Sequence, residues 1–142
     1  MKQRLSLIVT LLFIVGNITT SSAQSVKKTV KNSTVSNKVE VYYFHFTRRC
    51  NTCMSVESTA KKALETLYPD KVKKGVYTFT AMNLDEDKTK PIAEKLGVGG
   101  QTLLVVCGQK KTDLTDKAFM NAHDLEKMKT EINKAIENLT AK

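Results

Sequence analysis

Cys50 and Cys53, separated by two residues, have the types and spacing most able to do chemistry in this chain. A pair so placed can be a redox couple, half of a metal site or a plain staple. The third cysteine, Cys107, stands far off in the apolar run TLLVVC. Three cysteines are too few, and an odd number, for a disulfide scaffold; a close pair plus one distant residue reads as a working dithiol and a bystander. A structural zinc would need a second ligand pair, and His45, His123 and Cys107 do not stand at ligand spacing. A soft ion such as copper(I) or trivalent arsenic asks for less: two thiolates, with a third ligand where one is near.

The residues around the pair decide what it can do. Val39 to Phe46 (VEVYYFHF) is β-branched and aromatic, which predicts a strand covered on both faces. Its aromatics Tyr42, Tyr43, Phe44 and Phe46 are expected in the sheet core, and His45 is expected as an ordinary strand residue. Thr47-Arg48-Arg49 makes a turn, and from Thr52 the pattern is helical, with Val56, Ala60, Ala63, Leu64 and Leu67 on one stripe and Pro69 at the end. The dithiol therefore opens a helix. A helix amino terminus offers unpaired N–H groups and partial positive charge, both of which stabilise a thiolate. Cys50 is expected at the exposed end and Cys53 a turn inward. Arg48 and Arg49 place two positive charges beside Cys50, where they would stabilise its thiolate or contact substrate. Cys50 is then the expected nucleophile and Cys53 the resolving thiol.

The elements that must hold this corner follow in order. Val76 to Leu84 (VYTFTAMNL) predicts a second strand, Asp85-Glu86-Asp87 a loop, and Pro91 and Gly97 frame a short helix over Ile92 to Leu96. Thr102 to Cys107 predicts a third strand. After a tight turn at Gly108-Gln109-Lys110, Lys111 to Phe119 is expected as a weak edge strand. Asn121 is the expected cap of a last helix, with Asp124 three residues on, and its apolar face is Leu125, Met128, Ile132, Ala135, Ile136 and Leu139. The fold class is α/β: a three-layer α/β/α sandwich on a mixed sheet of about four strands. The first strands each need a helical crossover, so they are expected to run parallel, and the last two form a hairpin.

This order of elements, with Cys50-Asn51-Thr52-Cys53 after the first strand, resembles the thioredoxin-like superfamily over roughly residues 39–139. Met82-Asn83-Leu84-Asp85 and the segment Leu96-Gly97-Val98-Gly99-Gly100-Gln101-Thr102-Leu103-Leu104 belong to the same resemblance. More narrowly, Thr-Arg-Arg-Cys-x-x-Cys on an exported chain is similar to small thioredoxin-like proteins of gut Bacteroidetes, some associated with arsenic-resistance operons. The resemblance implies thiol–disulfide exchange at Cys50 and Cys53, with Gln101 and Thr102 on the loop that faces them. It also marks departures. Where thioredoxins carry a cis-proline before the threonine-led strand, this chain has Gln101, and a trans peptide is expected because a cis bond without proline costs about 3 kcal/mol. Where they bury an aspartate six residues before the first cysteine, this chain has Phe44, so the usual proton acceptor is missing. The gap at Gln101 also motivates the alternative reading, a non-catalytic carrier of copper(I) or arsenite on Cys50 and Cys53.

The chain has 142 residues, 41% hydrophobic and 26% charged, enough for one globular domain with its own core. Lys2 and Arg4, the apolar run Leu5 to Val15 and the small residues Ser21-Ser22-Ala23 predict a cleaved export signal over 1–23, since the run is about half of what a spanning helix needs. Residues 24–38, rich in lysine and serine, read as a flexible linker, and 39–142 as the thioredoxin-like domain. The expected compartment is a bacterial periplasm. Losing Lys2 and Arg4 takes the net charge from +9 to +7. The remaining lysines are scattered in pairs, which speaks for solvated surface and against nucleic acid. The expected partners are a protein or small-molecule disulfide and a redox partner, with no membrane span after cleavage, no cofactor beyond the redox-active disulfide, and a monomeric state.

Overall fold

The structure, a computed structural model, describes residues 38–141. The expected export signal and all but the last residue of the expected linker lie outside the described residues. Among the described residues no helix is long and apolar enough to cross a membrane.

Four strands form one sheet in the order β2-β1-β3-β4. Strand β1 is Val39–His45, β2 is Tyr77–Asn83, β3 is Thr102–Cys107 and β4 is Lys110–Asp113. β1 pairs in parallel with β2, from Val39 with Tyr77 to His45 with Asn83, and antiparallel with β3, from Val39 with Cys107 to Phe44 with Thr102. The β3–β4 hairpin is antiparallel. The expectation of parallel strands at each helical crossover holds only for the first. The β1–β2 connection contains a long helix, whereas β3, although it follows the short helix over Lys90–Leu96, lies on the other side of β1 and runs antiparallel to it.

The long helix, α1 (Asn51–Leu67), buries Cys53, Val56, Ala60, Ala63 and Leu64. With α5 (Leu125–Thr140), whose Met128, Ile132, Ala135, Ile136 and Leu139 are buried, it covers the sheet face carrying Val39, Val41, Tyr43, Leu103 and Val105. Alternation along β1 sends Phe44 to the opposite face, where Leu104 and Val106 are also buried. The short helix α3 (Lys90–Leu96) and the Val98 loop lie on that side, against Leu104. Residues 38–141 thus form a three-layer α/β/α sandwich with the thioredoxin-like arrangement.

Three local expectations need correction. Pro69 does end α1, but at the first position of a new helix, α2 (Pro69–Lys73), where its missing N–H is harmless. The edge strand stops at Asp113, whose carboxylate takes the Thr115 N–H at 2.8 Å and starts α4 (Thr115–Met120) in place of further strand. The last helix is capped by Asp124, which accepts the Lys127 N–H at 3.0 Å, and Asn121 instead closes α4.

Candidate functional site

Cys50 is the cap residue of α1. Its backbone is extended, with φ −80° and ψ 165°, and its Sγ accepts the Cys53 N–H at 3.2 Å. The Cys50 carbonyl accepts the Met54 N–H at 3.2 Å. A sulfur thus occupies the place where an oxygen side chain would normally cap the helix, accepting the Cys53 N–H, and no acidic residue in the first turn offsets the positive end. Cys50 and Cys53 are joined as a disulfide, with Cα atoms 5.2 Å apart. Cys50 is exposed, whereas Cys53 is 6% exposed, so the two sulfurs differ in access as helix geometry demands. Phe46, expected in the sheet core, lies just past the end of β1 and is 42% exposed; it and Met54, 48% exposed, flank the pair in sequence.

The loop that delivers Cys50 is pinned from the last residue of β2 and the two residues after it. The Thr47 N–H donates to Asp85 Oδ2 at 2.8 Å, Asn83 Nδ2 donates to Thr47 Oγ1 at 2.9 Å, and the Leu84 N–H donates to the His45 carbonyl at 2.7 Å. The Thr47 hydrogen bonds, backbone first, hold the Asp85 carboxyl below its ordinary value of 3.8. A carboxyl depressed on folding contributes stability that is present above the unfolded value and lost as pH falls through the folded one. The Asp85 carboxyl resonance should therefore titrate below 3.8, and the Thr47 amide resonance should move with the same midpoint. Independent midpoints would show that this clasp does not form. His45 keeps to its backbone, with Nδ1 3.0 Å from the Phe46 carbonyl oxygen.

The two arginines part company. Arg48 is exposed, while Arg49 is half-buried and ion-paired with Glu57, one turn beyond Cys53 on α1. The Arg49 charge is therefore shared with a carboxylate, and Arg48 is the arginine left facing solvent beside Cys50. Of the two loop residues, Gln101 reaches the pair: its Oε1 lies 3.7 Å from Cys53 Sγ. Thr102 instead bonds the Gly100 carbonyl at 3.0 Å and shapes the loop. The described peptide bonds, including the one before Gln101, are trans. The loop owes its direction to Gly97, which ends α3 at φ 67° with its N–H on the Glu94 carbonyl, while the Val98 N–H bonds the Ala93 carbonyl. That left-handed turn strongly favours glycine.

Tyr43 and Glu57 are the site residues that sequence reasoning missed. The Tyr43 hydroxyl donates to the Cys53 carbonyl at 2.9 Å and accepts from Gln101 Nε2 at 2.5 Å. Burial pushes the phenol above the ordinary tyrosine range; the Gln101 hydrogen bond and the Arg49 charge act against that, and Glu57 with it. The available signal was that a tyrosine inside an apolar strand must find a partner for its hydroxyl. For Glu57 it was the four-residue spacing from Cys53 along α1. Phe44, fully buried on the opposite face from Tyr43, does not stand behind Cys53 at all. The environment of the second sulfur is set by Tyr43 and Gln101.

Cys107 is buried in the core cluster at the far end of β3, paired with Val39. Among the described residues no group of three or more His, Cys, Asp and Glu could hold a metal ion, so a soft ion would have the two cysteine sulfurs alone from that set. No family model matches this chain, and no curated protein matches it. Among solved structures, one described as the structure of a malarial protein is 20% identical, covering 69% of this chain and 97% of that chain with a TM-score of 0.43. A likeness that distant bears on neither fold nor function.

Proposed function

We propose that this protein is a thiol–disulfide oxidoreductase of the thioredoxin-like kind, working outside the cytosol, with Cys50 as nucleophile and Cys53 as resolving thiol. The observation that carries this reading is the placement of an exposed Cys50 sulfur at the start of α1, disulfide-linked to a shielded Cys53. The Cys50 thiolate attacks one sulfur of a substrate disulfide and expels the other as a thiolate. The Cys53 thiol, on losing its proton to solvent, attacks Cys50 Sγ, closes the protein disulfide and releases the second substrate thiolate. Arg48, left facing solvent, adds attraction for the anionic sulfur or for an acidic substrate. Phe46 and Met54, exposed and close to the pair in sequence, offer a substrate apolar surface. The charged start and apolar run of the first 23 residues support export, which would carry the dithiol to a compartment where disulfides persist.

The decisive measurement is the alkylation rate of Cys50 in the reduced protein against pH. The expected midpoint lies well below the free-thiol value of about 8.5. A midpoint at or above that value would remove the activated nucleophile and with it this reading.

A further inference from the structure

The orientation of the Gln101 carboxamide is fixed by the bonds around it. Tyr43 spends its only hydroxyl proton on the Cys53 carbonyl oxygen, 2.9 Å away. Its oxygen must therefore accept at its other contact, the one to Gln101 at 2.5 Å, and only the amide nitrogen can donate there. With Nε2 turned to Tyr43, Oε1 is turned to Cys53 Sγ, at 3.7 Å. The hydrogen bonds run one way, from Gln101 to Tyr43 to the Cys53 backbone, and leave an acceptor waiting at the Cys53 sulfur. In the disulfide that sulfur has no proton to give. In the dithiol it has one.

We propose that Gln101, anchored by the fully buried Tyr43, is a positioning residue that favours the reduced dithiol by offering Cys53 an acceptor that only its thiol form can use. The inference rests on the oxidoreductase reading and adds a preference for one redox state. Reduction by two molecules of a thiol breaks the Cys50–Cys53 bond and joins the two reductant sulfurs. Of the two protons released, one goes to Cys53 Sγ and the other to solvent, leaving Cys50 as thiolate. The new S–H then donates to Gln101 Oε1. The amide accepts the hydrogen bond but does not remove the proton, so the reduced form gains an interaction and the oxidised form gains none. Such a bond makes the disulfide the easier to reduce.

The test compares wild type with Gln101→Met, which keeps the length of the side chain and has neither donor nor comparable acceptor. Two quantities are read: the dithiol–disulfide equilibrium in glutathione buffers, and the thermal midpoint of each redox form. The expected result is an oxidation constant about five-fold higher in Gln101→Met, equivalent to about 20 mV at roughly 30 mV per tenfold, with the reduced form losing more stability than the oxidised. Tyr43→Phe should move the equilibrium the same way by less, because the amide keeps its oxygen but loses its anchor. An unchanged equilibrium with equal stability losses in both redox forms would mean that Gln101 only packs, and would overturn the inference. A shift of opposite sign would overturn it too. If Gln101→Met folds in neither redox form, Tyr43→Phe decides by the same outcomes, since it retains the ring. The oxidoreductase reading fails separately: a Cys50 alkylation midpoint at or above about 8.5 removes that reading, while the glutathione equilibrium of the variants still decides this one.

Discussion

Cys53→Ser should accumulate a mixed disulfide between Cys50 and its substrate, to one adduct per chain, while the wild-type protein returns to its internal disulfide. Release needs a second thiolate in line with Cys50 Sγ. Among the described residues the group so placed is Cys53, whose N–H already reaches that sulfur at 3.2 Å and whose Cα lies 5.2 Å from that of Cys50. Cys107 cannot substitute. It pairs with Val39 at one end of β1, whereas Thr102, next to Gln101, pairs with Phe44 at the other, five register steps or about 17 Å away. Cys50→Ser should fail earlier, with exchange falling to the rate of the buffer alone, because the buried Cys53 is poorly reached from solvent. Mass spectrometry after mixing each reduced variant with an aromatic disulfide reads both outcomes. Full release of both aromatic thiols by Cys53→Ser, or rapid adduct formation in Cys50→Ser, would reverse the assigned roles.

The sheet and its two long helices were legible because their signals are strong and local. The apolar stripe of α1 and that of α5 fall at helical spacing, and the residues on them are the ones that pack on β1 and β3. The parallel pairing of β1 with β2 followed from the length of the connection. What was not legible depends on contacts that sequence spacing does not encode. Residues 111–119 carry no strong period, and the Asp113 side chain's bond to the Thr115 N–H turned the second half into helix. In sequence Glu57 is one of several charged residues on a helix, yet it is the partner of Arg49 and divides the roles of the two arginines. The largest displacement concerns the support of Cys53. Counting six residues back from Cys50 points to Phe44, but strand alternation sends Phe44 away from α1 and turns Tyr43 toward it, one residue earlier. A loop length that differs by one residue changes which face of β1 looks at the sulfur, and no composition rule reveals that.

The second large effect separates the scaffold from the site. Leu64 is fully buried on α1 and belongs to the cluster shared with Val41, Leu103 and Ile132. Truncation to alanine removes buried apolar atoms and leaves a cavity, at a cost of about 2–5 kcal/mol. A domain of this size has about 5–15 kcal/mol in total, so the thermal midpoint of Leu64→Ala should fall by at least about 10 °C. The loss must be common to both redox forms, because Leu64 lies eleven residues from Cys53, about 16 Å along the helix axis, and touches neither sulfur nor Gln101. The reduction potential should therefore stay at the wild-type value while stability drops. Gln101→Met should do the reverse, moving the potential with a smaller loss of stability. At that separation the two effects should add in the double variant. If Leu64→Ala moved the potential as far as Gln101→Met does, the redox balance would be a property of how tightly α1 is packed, and not of the acceptor held beside Cys53.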